Sequence, residues 1–241
     1  MHLFEIFIVL HVIAGTTGLI AFWVPIAARK GGKRHKSGGR IACYGFIGAG
    51  VLAIVMALWS LFVEPDRIPS FEDRAAFAGL LGWMMLFLGL LTIAFADYGI
   101  AVVQHARNRP ALRSFRYQIV MASTFASGFW CAWYGLRIGQ PTMIMVAAFG
   151  TVAMAIQEVF VWRPKVQPRW YVSEHFRALI GMGISAYTAF LSVGLIRLMP
   201  DQVFNPLIWA GPSVVGVSLI IYFTHFAKQK KNPSQRAPAA I

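Results

Sequence analysis

Long apolar runs recur along the chain and constrain its fold more than any other feature. A helix rises about 1.5 Å per residue, so each run is long enough to cross the roughly 30 Å hydrocarbon core of a bilayer. Helices satisfy their own backbone hydrogen bonds and are therefore the expected spanning form. We predict about seven transmembrane helices, over the ranges Leu3–Ala27, Ile41–Val63, Phe77–Gln104, Tyr117–Leu136, Thr142–Val161, Ala178–Met199 and Leu207–Ala227.

Composition favours the same fold class. Hydrophobic residues make up 58% of the 241 residues and charged residues 13%, whereas soluble domains carry about 25% charged residues. The sequence therefore predicts an all-α, polytopic membrane helix bundle in contact with the lipid bilayer. We expect one transmembrane domain over residues 1–228 and a disordered, polar cytoplasmic tail over residues 229–241.

The distribution of basic residues predicts the orientation. The net charge is +13, but Lys and Arg lie in short clusters between the apolar runs, which is typical of membrane loops and not of a nucleic-acid interface. Most of these cations follow the first, third, fifth and seventh runs. The positive-inside rule then places the N-terminus outside and the C-terminus in the cytoplasm. We expect a multi-pass protein of the inner (cytoplasmic) membrane, with no nucleic-acid partner.

Histidines are the first candidates for a functional site. Four of the six fall at the level of the basic loops: His35, His105, His175 and His225. Two imidazoles from different helices could serve as axial ligands of a haem b iron there, and we expect His105 to pair with His35, His175 or His225. The alternative is that polar residues collect at the membrane interface because they are tolerated there, and His225 also suits a helix C-terminus.

His11 differs because it lies within the first apolar run. A polar ring at that depth should face the bundle and not lipid. Gly15 and Gly18 share its helical face, and small residues permit close approach of another helix or of a flat macrocycle. His11 is therefore a further candidate cofactor ligand, with helix packing as the alternative.

Two carboxylates, Asp97 and Glu158, lie within apolar runs near the end that carries the basic loops. Ionisable groups inside a membrane are costly and are functional candidates by default. They could relay protons or bind a quinone headgroup. The alternative is an internal hydrogen bond or an ion pair with a nearby Arg, Tyr98 or Gln157.

Other motifs offer little chemistry. Cys43 and Cys131 show no metal-ligand spacing, and the methionines are scattered. No phosphate-binding, hydrolase or zinc-protease signature occurs. We therefore assign no catalytic residue, and no metal beyond a haem iron.

One set of short motifs carries a family resemblance. His11 with Gly15 and Gly18 is followed by the segment His35-Lys36-Ser37-Gly38-Gly39-Arg40, and then by His105 with Arg113 and Arg116. This pattern, over about the first half of the chain, resembles a family of uncharacterised bacterial multi-pass membrane proteins of unknown function. That family has a His-Arg-x-x-Gly-Arg loop, with Arg where Lys36 stands here. The pattern is also loosely similar to membrane b-type cytochromes, which implies haem b and electron transport.

Three functional hypotheses follow from the sequence. The first is a haem-binding or quinone-linked electron-transfer protein. The second is a non-catalytic accessory or scaffold subunit that binds other membrane subunits. The third is a proton or small-solute pathway built on Asp97 and Glu158.

Overall fold

The computed structural model describes residues 3–64, 74–167, 169–194 and 205–229, together with Met199 and Gln202. Within these ranges the regular elements are all helical, and a 3₁₀ turn over Arg109–Arg113 connects two of the long helices. The long helices are α1 (Leu3–Ala27), α2 (Lys33–Phe62), α3 (Arg74–Gln104), α4 (Phe115–Arg137), α5 (Pro141–Trp162), α6 (Trp170–Gly194) and α7 (Pro206–Gln229).

Six of these helices are long and apolar enough to cross a membrane: α1, α2, α3, α4, α5 and α7. Large apolar side chains on them also point outward, among them Ile20, Phe115 and Leu207. Such surfaces would be unfavourable in water and are favourable against lipid chains. The prediction of an all-α membrane bundle in contact with lipid is thereby confirmed.

The sixth predicted span is the one that differs. α6 begins at Trp170 and is not among the helices that qualify as candidate spans. Glu174, His175 and Arg177 lie in its first turns, before the apolar stretch begins. The predicted range Ala178–Met199 also runs past Gly194 into residues outside the described part of the chain. The count of seven spans and the orientation of the termini stay predictions.

Helix α3 is the central helix of the bundle. Within an apolar stretch of 18 residues in α3, 61% of the residues are buried. The corresponding stretches of α1 and α7 are each 17% buried. It packs against α2, α4 and α6, and a π-helical stretch over Ala78–Met84 widens its first turns. Polar residues on α3 are therefore the ones that the bundle surrounds on several sides.

One end of the bundle gathers the loops that carry most of the cations. Arg109 Nη2 donates to Pro164 O at 3.2 Å, and Arg113 Nε and Nη2 each donate to Val161 O at 3.1 Å. These bonds join the α3–α4 connection to the end of α5. We call this end, formed by the C-termini of α1, α3 and α5 and the N-termini of α2, α4 and α6, the basic end.

Helix boundaries follow hydropathy except at the starts of α2 and α6. Helix α2 begins at Lys33, eight residues before the predicted start at Ile41. Its first turns contain Lys33, Arg34, Lys36 and Arg40, so they are too polar to count as an apolar run. A helix of 30 residues is longer than the hydrocarbon core requires, and α2 therefore projects beyond it. At the other end of the chain, Gln229 still belongs to α7, and residues 230–241 of the predicted tail lie outside the described residues.

Candidate functional site

His35 and His175 are the two predicted ligands that the fold brings together. Their ring centroids are 6.2 Å apart, and the ring planes are inclined at 59°. His35 lies in the first turn of α2, and His175 in the second turn of α6. Both rings are half-buried at the basic end. We call them the histidine pair.

Backbone hydrogen bonds orient both rings. His35 Nδ1 lies 3.1 Å from Pro25 O, and His175 Nδ1 lies 2.7 Å from Gly99 O. A carbonyl oxygen can only accept, so Nδ1 of each neutral ring carries the hydrogen. The Nε2 lone pair of each ring is then left to bind another group. A histidine that binds a metal through one ring nitrogen commonly donates a hydrogen bond from its other ring nitrogen to a carbonyl.

Lys30 completes the surroundings of His35. Its Nζ donates to Pro25 O and Ile26 O, both at 2.8 Å, which are carbonyls that the last turn of α1 leaves without helical partners. The ammonium also lies over the ring of Phe223 in α7, 4.8 Å from the centroid. Partial burial lowers the pKa of Lys30 from its ordinary value. This lysine thus ties the C-terminus of α1 to α7.

His105 and His225 lie on other helices than the pair. His105 follows the C-terminus of α3, where Tyr117 OH lies 3.5 Å from its Nε2. His225 lies at an exposed position near the end of α7. The pairing expected for His105 is thus replaced by that of His35 with His175, and cofactor binding by any of these rings stays a prediction.

His11 lies on the face of α1 that packs against α2. Its Nδ1 is 2.9 Å from Ala49 O. On the same face a Cβ at Gly15 would meet Ala49 Cβ at 3.8 Å, and one at Gly18 would meet the Phe46 ring at 2.6 Å. The small residues of this face thus admit α2, which is the helix-packing interpretation of the motif.

Asp97 is paired with an arginine. Arg116 Nη2 donates to Asp97 Oδ1 at 2.6 Å, and the guanidinium lies over the Tyr117 ring at 4.7 Å. The Asp97 side chain is 20% exposed and that of Arg116 is 65% exposed. An exposed partner of this kind contributes little stability, but the contact joins α3 to α4 at the basic end.

Glu158 is satisfied on one oxygen. Trp162 Nε1 donates to its Oε1 at 2.5 Å, one helical turn further along α5. Its Oε2 is buried and has no hydrogen-bond partner among the described residues. A buried acceptor without a partner is costly, so this oxygen is a place where water, a proton or a ligand would be stabilised.

A small cavity of about 10 Å³ lies between α3, α4 and α5. Its lining includes Asp97, Tyr98, Tyr117 and Glu158. This volume is about the space that one water molecule needs, and a buried water also needs polar partners of the kind found here. The structure thus brings the two predicted carboxylates to the same cavity.

Glu174 belongs to the polar cluster and was missed in the sequence. It is 3% exposed and accepts from Tyr98 OH at 3.3 Å and from Arg177 Nη1 at 2.9 Å. Tyr98 also lines the cavity with Glu158, so Glu174 lies close behind that site. The signal in the sequence was a carboxylate next to His175 and three residues before Arg177.

The donor set at the basic end bears on the haem hypothesis only through the two imidazoles of the histidine pair. Within the described ranges, no group of three or more His, Cys, Asp or Glu side chains could hold a metal ion. Imidazole nitrogens are among the side-chain ligands that hold a haem iron. The histidine pair offers two of them, with ring centroids 6.2 Å apart and each Nδ1 next to a backbone carbonyl. These two residues would therefore be the ones to hold a haem.

Comparison with known proteins gives no further guidance. No protein-family model, curated protein or solved structure matches the chain. The resemblances stated above therefore stay predictions. The fold and the site define a membrane-embedded helical protein whose basic end is polar and contains histidines.

Proposed function

We propose that the protein is a haem b-binding, quinone-linked electron-transfer protein of the inner membrane. The observation that supports this proposal is the histidine pair. Its ring centroids are 6.2 Å apart, and each Nδ1 is next to a backbone carbonyl oxygen. Bound there, the haem would supply one-electron chemistry. The chain would contribute seven spans, with the basic end in the cytoplasm.

The roles of the residues follow from their contacts. His35 and His175 would bind the iron through Nε2, and the carbonyls of Pro25 and Gly99 would keep both rings turned for it. A hydrogen bond from Nδ1 makes Nε2 more electron-rich, which strengthens ligation.

An absorption spectrum of the detergent-purified protein tests this proposal. We expect a Soret band that is lost in His35→Ala and in His175→Ala. His225→Ala is the matched control and should keep the band, because His225 lies on α7 and not on the helices that carry the pair. A colourless wild-type protein, also after incubation with haemin and a reductant, would refute the proposal.

A second candidate function rests on Glu158. Its unpartnered Oε2 and the cavity shared with Asp97 suit a proton-binding position inside the bundle. The protein would then provide a proton pathway, with or without a redox cofactor. Asp97 would exchange protons with the aqueous side, and Glu158 would hold one at depth.

Proton flux into liposomes tests this second function. We expect Glu158→Gln to abolish the flux, because an amide cannot take up or release a proton there. Glu5→Gln, near the start of α1, is the control and should leave it unchanged. Flux that survives Glu158→Gln would remove the pathway.

A further inference from the structure

A second, larger concavity lies on the other side of the bundle from the carboxylate cavity. It has a volume of about 280 Å³ and is lined by residues of α1, α6 and α7. Trp23 and Val215, which are part of its lining, are exposed, so the concavity is open to the surroundings of the bundle. We call it the α1/α6/α7 groove.

The lining of the groove presents hardly any hydrogen-bonding group that an occupant would have to satisfy. Its lining is apolar except for Tyr187 and the indole nitrogen of Trp23. Trp23 Nε1 donates to Tyr187 OH at 2.6 Å, and Tyr187 OH donates to Leu19 O at 2.9 Å. Since these groups satisfy one another, the groove fits a flexible hydrocarbon chain better than a polar ligand.

Glycines in the lining give the groove its shape. A Cβ on Gly183 would clash with the Phe22 ring, and one on Gly216 would clash with Ile184. A Cβ on Gly211 would meet nothing within 4 Å. The first two glycines thus permit helix contact, whereas a side chain at Gly211 would project into open space.

The groove ends beside a cation. Leu219 lines the groove, and Phe223 lies one turn further along α7, about 6 Å away. Lys30 Nζ lies 4.8 Å from the centre of the Phe223 ring. Of its three N–H groups, two donate to Pro25 O and Ile26 O, which leaves one for a ligand. Lys33 and Arg34 follow at the exposed start of α2.

We propose that the α1/α6/α7 groove binds one acyl chain of an anionic phospholipid, whose phosphate contacts Lys30 with support from Lys33 and Arg34. The apolar groove supplies the affinity for the chain, and the cations at its end supply the preference for a negative headgroup. This site is independent of the proposed electron transfer, because it involves neither the histidine pair nor the carboxylate cavity.

Native mass spectrometry of the full-length protein in detergent tests this site. Phosphatidylglycerol and phosphatidylcholine with identical acyl chains are added in separate titrations. We expect the wild-type protein to retain one phosphatidylglycerol roughly fivefold better than phosphatidylcholine, as one cation at a membrane surface would produce. Equal retention of the two lipids would overturn the proposal, and so would recovery of an isoprenoid quinone in place of a phospholipid.

Variants separate the groove from the general lipid belt. Gly211→Phe should fill the groove and reduce retention of both lipids, whereas Val214→Phe, an exposed position of α7 outside the lining, should leave it unchanged. Lys30→Gln should remove the preference for phosphatidylglycerol, and Lys30→Arg should keep it. Wild-type retention in Gly211→Phe, or an unchanged preference in Lys30→Gln, would overturn the proposal. If Gly211→Phe fails to fold, Gly211→Leu and the Lys30 variants still decide it.

Discussion

Glu174 shows how a single buried carboxylate can connect two helices. It lies on α6, next to His175, and it accepts from Tyr98 OH of α3. The next residue of each helix forms the adjacent contact, since His175 Nδ1 bonds Gly99 O. Two consecutive residues of α6 thus bind two consecutive residues of α3, and Glu174 positions the helix that carries one half of the histidine pair.

We predict that Glu174→Ala lowers stability by about 1–3 kcal/mol, because it leaves the buried Tyr98 hydroxyl without its acceptor. Arg177 is 46% exposed and can return to water, so its loss of a partner adds little. The measurement is the thermal midpoint of the detergent-purified protein.

The control for this prediction is a double-mutant cycle with Tyr98→Phe. Once the hydroxyl is gone, Glu174→Ala should cost clearly less than it does in the wild type. Equal costs in the two backgrounds would show that the Tyr98–Glu174 bond contributes nothing.

The residues that the sequence singles out overlap only in part with the residues that form the site. His35, His175, Asp97 and Glu158 could be named because polar groups near apolar runs are costly. That His35 meets His175, and not His105 or His225, could not be predicted, because the pairing depends on which helices pack together. Glu174 lies before the run predicted from Ala178, where a carboxylate carries no expected cost, and its burial depends on the packing of α6 against α3.

Among the elements, α1 and α2 pack most closely. A Cβ on Gly45 would lie 2.9 Å from Ala14 O and 2.9 Å from Gly18 N, which are backbone atoms of α1. The two helices therefore touch through their main chains at this level, in the manner of small-residue packing in membranes. His11, whose ring contacts Ala49 O, lies along the same seam.

Gly45→Ala should force α1 and α2 apart, because backbone atoms cannot move aside as a flexible side chain can. We expect destabilisation of about 1–3 kcal/mol. The thermal midpoint should fall by several degrees, at about 2–4 °C per kcal/mol for a chain of this size.

Gly48→Ala is the matched substitution on the same helix. Its Cβ would meet Ala14 Cβ at 3.7 Å, which is an ordinary van der Waals contact. The thermal midpoint of this variant should stay near the wild-type value. Similar losses in both variants would contradict the argument from backbone contact.

The extents of the elements were the most predictable part of the fold. Helices α1, α4 and α5 begin and end within a few residues of the predicted ranges, since hydropathy reports directly which residues tolerate lipid. The start of α2 was wrong by eight residues, because Lys33 to Arg40 continue the helix beyond the apolar run. Hydropathy thus predicts which residues lie in lipid, but a helix can continue beyond the lipid into polar surroundings.

At the scale of the whole molecule, the basic end defines one face of the membrane. The connections after α1, α3 and α5 meet there, as the bonds of Arg109 and Arg113 across two of them show. The turn at Gly139, between α4 and α5, lies at the opposite end. Residues at the two ends can therefore be labelled chemically to test the orientation that the positive-inside rule predicts.

We predict that single cysteines at Lys33 and at Lys165 react only with reagents that reach the cytoplasm, and that one at Gln140 reacts from outside. The background is Cys43→Ala with Cys131→Ala, and both native cysteines are buried. Labelling of intact cells with membrane-impermeant and permeant maleimides measures the accessibility. Reaction of positions 33 and 140 from the same side would contradict the proposed orientation.

The polar start of α6 has a consequence for how the chain is made. Because Glu174 and Arg177 lie in its first turns, this helix is poorly suited to leave the translocon for lipid by itself. Glu174 and His175 find partners on α3, a helix synthesised long before α6, whereas Arg177 pairs with Glu174 of its own helix. We therefore expect the insertion of α6 to depend on α3, so that loss of these contacts would leave the polar start of α6 at the membrane surface.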